Sequence, residues 1–269
     1  MIKDLQNTAN RIRKDTFEMV IQAGKGHLGG SLSCVELLTV LYYGNVLRFD
    51  PKKPHWTERD YFILSKGHAN NSLYVILADL GYFQVSELSN YSKPGSILGQ
   101  HCDTKVSGIE INTGSLGHGL GIASGLALGL KMDRKDNRVY VMLGDGECQE
   151  GSVWEAAMFS AHHRLDNLVA IIDRNWLSAE AFTEETCQLE PLGDKWRSFG
   201  WVVKEIDGHS IEQIIEALAY RHIRNEKPLM IIARTIKGKG ISCLENQPKS
   251  HHTLPKGDDV IKTREELES

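Results

Sequence analysis

The sequence predicts an α/β fold: a doubly wound, mostly parallel sheet carried by one domain, residues 1–269. Three observations lead to it. Short runs of β-branched and long apolar residues recur at Asp60–Leu64, Val139–Leu143, Asn167–Ile172, Trp201–Ile206 and Pro228–Ala233, the signature of buried strands. Segments with apolar residues at helical spacing lie between them. The runs end in clusters of Gly, Asp, Asn, His or Lys, and the carboxyl ends of strands are where open α/β sheets hold ligands.

The bulk properties narrow the function. A chain of 269 residues, 41% hydrophobic and 25% charged, has ample core for one large domain. A net charge of −4 without a basic stripe argues against nucleic acid. The start, Met1-Ile-Lys-Asp-Leu5, lacks the apolar region of a signal peptide. The longest apolar run, Leu116–Leu130, holds His118 and five glycines and is too short to span a bilayer. The five cysteines are odd in number and form no Cys-x-x-Cys pair, so they read as reduced thiols of a cytoplasmic protein.

In chain order, residues 3–24 form a helix with Leu5, Ala9, Ile12, Phe17, Val20 and Ile21 on its apolar positions. A glycine-rich loop, Gly24-Lys-Gly-His27-Leu-Gly-Gly-Ser31-Leu-Ser33, holds His27 just before a helix start. Ser33 and Glu36 have capping-box spacing for a helix running to about Leu47. The strand Asp60–Leu64 leads into Ser65-Lys-Gly-His68-Ala, another histidine at a strand end before a helix, which reaches about Leu80. Residues 85–92 form a short helix, and Ser96–Asp103 carries His101. Glu110–Gly119 is glycine-dense, with Gly114 and Leu116, and glycines continue at 117, 121, 125 and 129, one per helical turn. Such a stripe lets a helix lie close against another backbone, within the chain or in a second subunit; each Gly costs roughly 1 kcal/mol of helix propensity relative to Ala.

The central stretch is Arg138–Gly151. A strand pattern breaks at Gly144-Asp145-Gly146, and a helix signal follows, with a Ser152/Glu155 capping box and Trp154, Ala157, Met158, Ala161 and Leu165 on one face. Asp145 therefore stands at a strand end, with two glycines that let backbone N–H groups approach an anion. One strand–helix–strand unit later comes Asp173-Arg-Asn175-Trp-Leu177. An Asp carboxylate, an Asn carbonyl and a backbone carbonyl supply three oxygens for a small hard cation, Mg²⁺ or alternatively Ca²⁺ or Mn²⁺, bridging to phosphates. Trp176–Glu190 is polar and irregular, and Lys195–Phe199 is a short helix. Asp207-Gly-His209 follows the next strand, with His209 structural, before an amphipathic helix from Ser210 with Ile214, Ile215, Leu218 and Ile223 inside. Two lysines, Lys237 and Lys239, stand among glycines after the last strand and can attract phosphates. The polar stretch 245–269, with His251-His252, is expected to be a flexible or interface-forming tail.

Gly144-Asp145-Gly146 with Asn175 at this distance resembles the signature of thiamine diphosphate enzymes. Glu147-Cys-Gln-Glu150-Gly151, Trp154-Glu-Ala156, the His27 loop, Ser65-Lys-Gly-His68-Ala, Thr113-Gly114-Ser-Leu116-Gly117 and Lys237-Gly-Lys-Gly240 all resemble transketolases in particular. The resemblance implies a thiamine diphosphate-binding fold of the diphosphate-binding type. It implies thiamine diphosphate and Mg²⁺ as cofactors, with Asp145, Asn175 and the Leu177 carbonyl on the metal. It implies His68, Gly114, Leu116, Gly144, Gly146, Glu150, Asn175 and His251 around the cofactor, and His27, His101 and His251 facing the reacting carbon. The chain departs from the pattern at Gln100 and Cys102, where Gly and Pro are usual, at His118, where Gln is usual, and after Trp176.

The resemblance covers nearly the whole chain but only the amino-terminal half of a transketolase. The other half carries the pyrimidine-binding domain and the glutamate that activates the cofactor. The implied protein is one subunit of a split transketolase, completed by a companion chain, as a heterotetramer of two of each chain. It would move a two-carbon ketol unit from a sugar or sugar-phosphate donor to an aldehyde. A thiamine-dependent carboligase of specialised metabolism and a non-catalytic fold relative are the alternatives.

Overall fold

The structure is a computed structural model and describes residues 1–179, 181–222 and 226–268. Five strands form one sheet: β1 (Tyr61–Leu64), β2 (Val139–Gly144), β3 (Leu168–Arg174), β4 (Val202–Asp207) and β5 (Leu229–Arg234). Their order is β1-β2-β3-β5-β4, and every pairing is parallel. The helices are α1 (Ile2–Ala23), α2 (Leu28–Leu32), α3 (Val35–Tyr43), α4 (Asn70–Asp79), α5 (Gly119–Met132), α6 (Gly151–His162), α7 (Thr183–Thr186), α8 (Leu192–Ser198), α9 (Ile211–Ala219) and α10 (Asp258–Glu268).

Alternation along the strands builds two cores. Tyr140, Met142, Val169, Ile171, Leu229 and Ile231 face one side with residues of α1, α3, α4 and α9. Val139, Val141, Leu143, Leu168, Ala170, Ile172, Met230 and Ile232 face the other, with residues of α5, α6 and α8. The handedness rule for parallel crossovers explains this division. Connections from β1 through β2 and β3 to β4 run one way along the sheet and put α5, α6 and α8 on one face. The return from β4 to β5 puts α9 on the opposite face.

Gly24 ends α1 in the left-handed conformation, its N–H donating to the carbonyls of Val20 and Ile21. Ser210 caps α9 by accepting from the Gln213 N–H, as expected. Two expected capping boxes are not formed. Ser33 points inward, donating to the Gly30 carbonyl and to Asp173, and Glu36 is recruited by Arg13 and His209. Helix α3 begins at Val35 and stops at Tyr43, short of Leu47. Ser152 lies inside α6, which Glu150 precedes, and donates to the Gly117 carbonyl. In both cases long-range partners outcompete the local cap. The expected face of α6 is also corrected: Val153, Ala156, Ala157 and Ser160 are buried, while Met158 is exposed and Leu165 lies beyond the helix end.

Ile223 lies outside the described residues. The 245–269 stretch carries a 3-10 turn at Pro248–His251 and α10, whose Arg264 forks Glu18 on α1 at 2.8 Å through each of two nitrogens. No helix among the described residues is long and apolar enough to cross a membrane.

One buried pair ties α1 to α3. Arg13 Nη2 donates to Glu36, whose other oxygen lies 3.1 Å from His209 Nδ1. Removing one partner strands a charge in the core, which typically costs about 3–5 kcal/mol. Glu36→Ala is expected to lower the unfolding free energy by about that amount in urea denaturation, whereas Asp4→Ala, at the exposed start of α1, leaves it within about 0.5 kcal/mol.

Candidate active site

The candidate residues converge at the carboxyl edge of the sheet. β1 delivers Lys66 and His68, β2 delivers Asp145, β3 delivers Asn175 and Leu177, and β5 delivers Lys237. They line one cavity of about 520 Å³ together with Gly30, Leu116, Gly144, Gly146, Glu147, Ser178 and His251. The expected nearness of Asp145 and Asn175 is supported by the register: Gly144 pairs with Asp173, Asp145 and Asn175 follow one and two residues later, and the Trp176 N–H reaches the Asp145 carboxylate.

Asp145 is 1% exposed. Its carboxylate accepts from the N–H groups of Gly146 and Trp176 and from Arg174 Nη1 at 3.2 Å. Burial first, and then the charge of Asp173, raise its pKa to about 6. A buried carboxylate of this kind is stabilised in its charged form by a cation. Asn175 is also buried, with Oδ1 accepting from the Leu177 N–H at 3.2 Å. These oxygens, with the Leu177 carbonyl, fit a hard divalent ion. The Gly146 N–H is engaged by Asp145, so in this arrangement it secures the carboxylate.

Positive charge stands opposite. Lys237 is 2% exposed and donates from Nζ to the Ser178 carbonyl at 2.7 Å. Burial and the nearby Lys66 lower its pKa to about 8. A phosphate in the cavity would offset both penalties. Lys239 faces away, paired with Glu245 at 3.6 Å.

Five histidines cluster together, two of which, His68 and His251, line the cavity. The His27 ring lies 5.5 Å from His68, 5.7 Å from His101, 5.2 Å from His251 and 5.0 Å from His252, centroid to centroid. His27 precedes α2, and Gly30 keeps the space beside His68 clear, since a Cβ there would meet His68 Nε2 at 3.4 Å. Burial lowers the pKa of His27 to about 4 and that of His251 to about 3, with Lys237 and neighbouring imidazoles adding to it. Burial lowers His68 and His101 as well. These rings are neutral near pH 7 and can accept or donate a proton.

Other expected positions lie further out. Gly114 has φ +140° and sits against the His101 ring, which suits a residue without a side chain. His101 is exposed despite Gln100 and Cys102 beside it, and Cys102 is buried beneath. Glu150 is exposed at the start of α6, outside the cavity lining, and His118 is exposed before α5. His209 is structural, as expected: Nε2 accepts from the Ile236 N–H at 2.9 Å, which leaves Nδ1 to donate to Glu36. Glu147 escaped the sequence motifs as a site residue; it is buried and accepts from Ser65 Oγ and the N–H groups of Gly117 and Gly144. Lys66 was visible in its motif, but its ion pair to Asp173 depends on the fold.

Arg174 was also missed. It is 1% exposed and joins Asp145 to the segment above the cavity, donating to Thr183 Oγ1 at 2.6 Å, Glu184 at 2.7 Å and Glu190 at 3.1 Å. Its guanidinium lies 3.7 Å from the centre of the Trp176 ring. Arg174→Ala is expected to free the 178–190 segment. A glutamate-specific protease should then cut the folded variant at Glu184 or Glu185 at least about tenfold faster than the parent, a 1.4 kcal/mol drop in local opening energy.

Residues 5–268 match the family model "Transketolase, thiamine diphosphate binding domain". The chain is 47% identical over 250 residues to the 6-deoxy-6-sulfo-D-fructose transketolase subunit SqwG of Clostridium sp. (strain MSTE9), covering 93% of this chain and 90% of the relative. It is 44% identical over 254 residues to an apulose-4-phosphate transketolase subunit of Phocaeicola vulgatus, covering 94% and 90%. The crystal structure of Campylobacter jejuni transketolase superimposes with a TM-score of 0.93 at 34% identity, covering 100% of this chain and 43% of that one. The chain belongs to the transketolase family, and residues 5–268 are its thiamine diphosphate-binding domain.

Proposed function

We propose that this chain is one subunit of a split transketolase that moves a two-carbon ketol unit from an anionic ketose to an aldehyde acceptor. The observation that carries the reading is a metal-ready strand end, Asp145 and Asn175, in one cavity with His68 and His251, beside which His27 and His101 cluster. The lengths support a split arrangement, since the chain spans about nine-tenths of two relatives named as subunits but 43% of a full-length transketolase. Those subunits are named for a sulfonated ketose and a ketose phosphate, which supports a donor with a terminal anion.

Asp145, Asn175 and the Leu177 carbonyl would hold Mg²⁺, and Lys237 and His68 would face the diphosphate. Leu116 would pack against the cofactor's rings. Thiamine diphosphate, when bound, supplies the carbanion that attacks the donor ketone. His27, His101 and His251 orient the sugar, take a proton from the hydroxyl on C3 as the C2–C3 bond breaks, and return one to the acceptor oxygen. A companion chain with the pyrimidine-binding domain supplies the activating glutamate. The α5 stripe suits docking: a Cβ at Gly121, Gly125 or Gly129 would meet nothing within 4 Å in this chain. A heterotetramer of two of each chain is the expected assembly.

Purification of the tagged chain with Mg²⁺ and thiamine diphosphate should recover a chain of similar size bearing a pyrimidine-binding domain. The pair, and neither chain alone, should turn over an anionic ketose with an aldehyde. Turnover by this chain alone would refute the split arrangement. Asp145→Ala should abolish Mg²⁺-dependent thiamine diphosphate binding in calorimetry while the variant stays folded. Because Lys237 loses its proton as pH rises through about 8 and Asp145 takes one as pH falls through about 6, that binding should weaken above the higher value and hold steady down to the lower one. Below it, binding should weaken about tenfold per unit as protons compete with the cation.

A further inference from the structure

We propose that His27, His251 and His252 form a second metal site, which takes a borderline transition ion such as Zn²⁺ and, when filled, closes the cavity mouth to substrate. The closing rests on the functional reading above; the metal binding does not.

The three residues offer ring nitrogens that all lie within 4.8 Å of one another. Their centroids are 5.2, 5.0 and 4.5 Å apart. Ligands on a tetrahedral zinc, at about 2.0–2.1 Å from the ion, stand about 3.3 Å from each other. The closure required is modest, and the exposed His252 can rotate to supply it. His27 is 7% exposed and anchored before α2, and its Nδ1 is buried without a hydrogen-bond partner. An unpaired buried nitrogen is costly, and neither helix nor sheet satisfies this one.

The donor chemistry selects the ion. The cluster contains imidazoles alone, with no carboxylate or thiolate. Nitrogen donors favour zinc, copper, nickel and cobalt, whereas Mg²⁺ prefers oxygen. The Asp145–Asn175 position therefore keeps Mg²⁺ while the histidine cluster takes the softer ion. The charge of Lys237, which acts on both His27 and His251, opposes any cation, so binding there depends on strong nitrogen coordination. Water would fill the fourth coordination position. His252 has no part in the proposed transfer chemistry, so its presence beside His251 is what makes a third ligand available.

The test uses the full chain, stripped by chelator and titrated with Co²⁺ under saturating Mg²⁺. The expected result is the intense visible absorption of four-coordinate, nitrogen-ligated Co²⁺ at one ion per chain, displaced by Zn²⁺. His252→Ala should weaken Zn²⁺ binding by roughly tenfold or more and leave Mg²⁺-dependent thiamine diphosphate binding unchanged. In the assembled two-chain enzyme, Zn²⁺ should inhibit in competition with the ketose and a chelator should restore turnover. A six-coordinate, pale Co²⁺ spectrum, or equal Zn²⁺ affinity in the parent and His252→Ala, overturns the site. A four-coordinate site without competitive inhibition overturns the closing role.

Discussion

The site rests on a buried ion pair between Lys66 and Asp173. Asp173 is the penultimate residue of β3 and is fully buried; it accepts from Lys66 Nζ, from Ser33 Oγ at 2.6 Å and from Thr235 Oγ1, and Asn175 Nδ2 lies 3.3 Å away. Lys66 also donates to the Gly30 carbonyl at 2.9 Å. One carboxylate thus fastens the loop after β1, the loop after β5, the end of α2 at Ser33 and the side chain of Asn175. Burial works against both charges, yet the pair prevails: Asp173 is held below its ordinary pKa and Lys66 above its own. The desolvation penalty is met because every partner is a charge or a directed hydrogen bond.

With that knot fixed, the electrostatics of the cavity follow. Lys66 is neutralised by Asp173, so Lys237 is the lysine of the cavity lining without a carboxylate partner among the described residues, and Asp145 keeps a raised proton affinity beside it. The cavity presents one lysine without a carboxylate partner, Lys237, and two carboxylates, Asp145 and Glu147, charges that suit a cation bridged to a phosphate. Burial lowers the proton affinity of His27, His68, His101 and His251, so these rings are suited to hydrogen bonding and proton transfer in the neutral form.

Much of this was legible in the sequence. The five apolar runs became five strands because parallel strands buried on both faces carry a nearly continuous apolar signal. Asp145, Asn175, His27 and His68 were legible because each stands close after a strand or before a helix, where sequence position fixes location; His251, in the turn Pro248–His251, was placed only by its distance from Lys237-Gly-Lys-Gly240 in the resemblance. Arg174, Glu147 and the ion pair of Lys66 were not, because their partners come from remote segments. The same competition explains the two missing capping boxes: Ser33 and Ser152 had the right spacing, but Asp173 and the Gly117 carbonyl took their hydroxyls. Met158 faces outward because the buried stripe of α6 runs through Val153, Ala156, Ala157 and Ser160.

The central claim is that the ends of β2 and β3 grip a cation that anchors the cofactor. Crystals of the two-chain complex grown with thiamine diphosphate and Mn²⁺ in place of Mg²⁺ test it most directly through anomalous scattering. The account predicts one strong manganese peak per copy of this chain, coordinated by Asp145, Asn175 and the Leu177 carbonyl and touching the diphosphate. Bound cofactor with no peak there, or with the metal held by other residues, would contradict it.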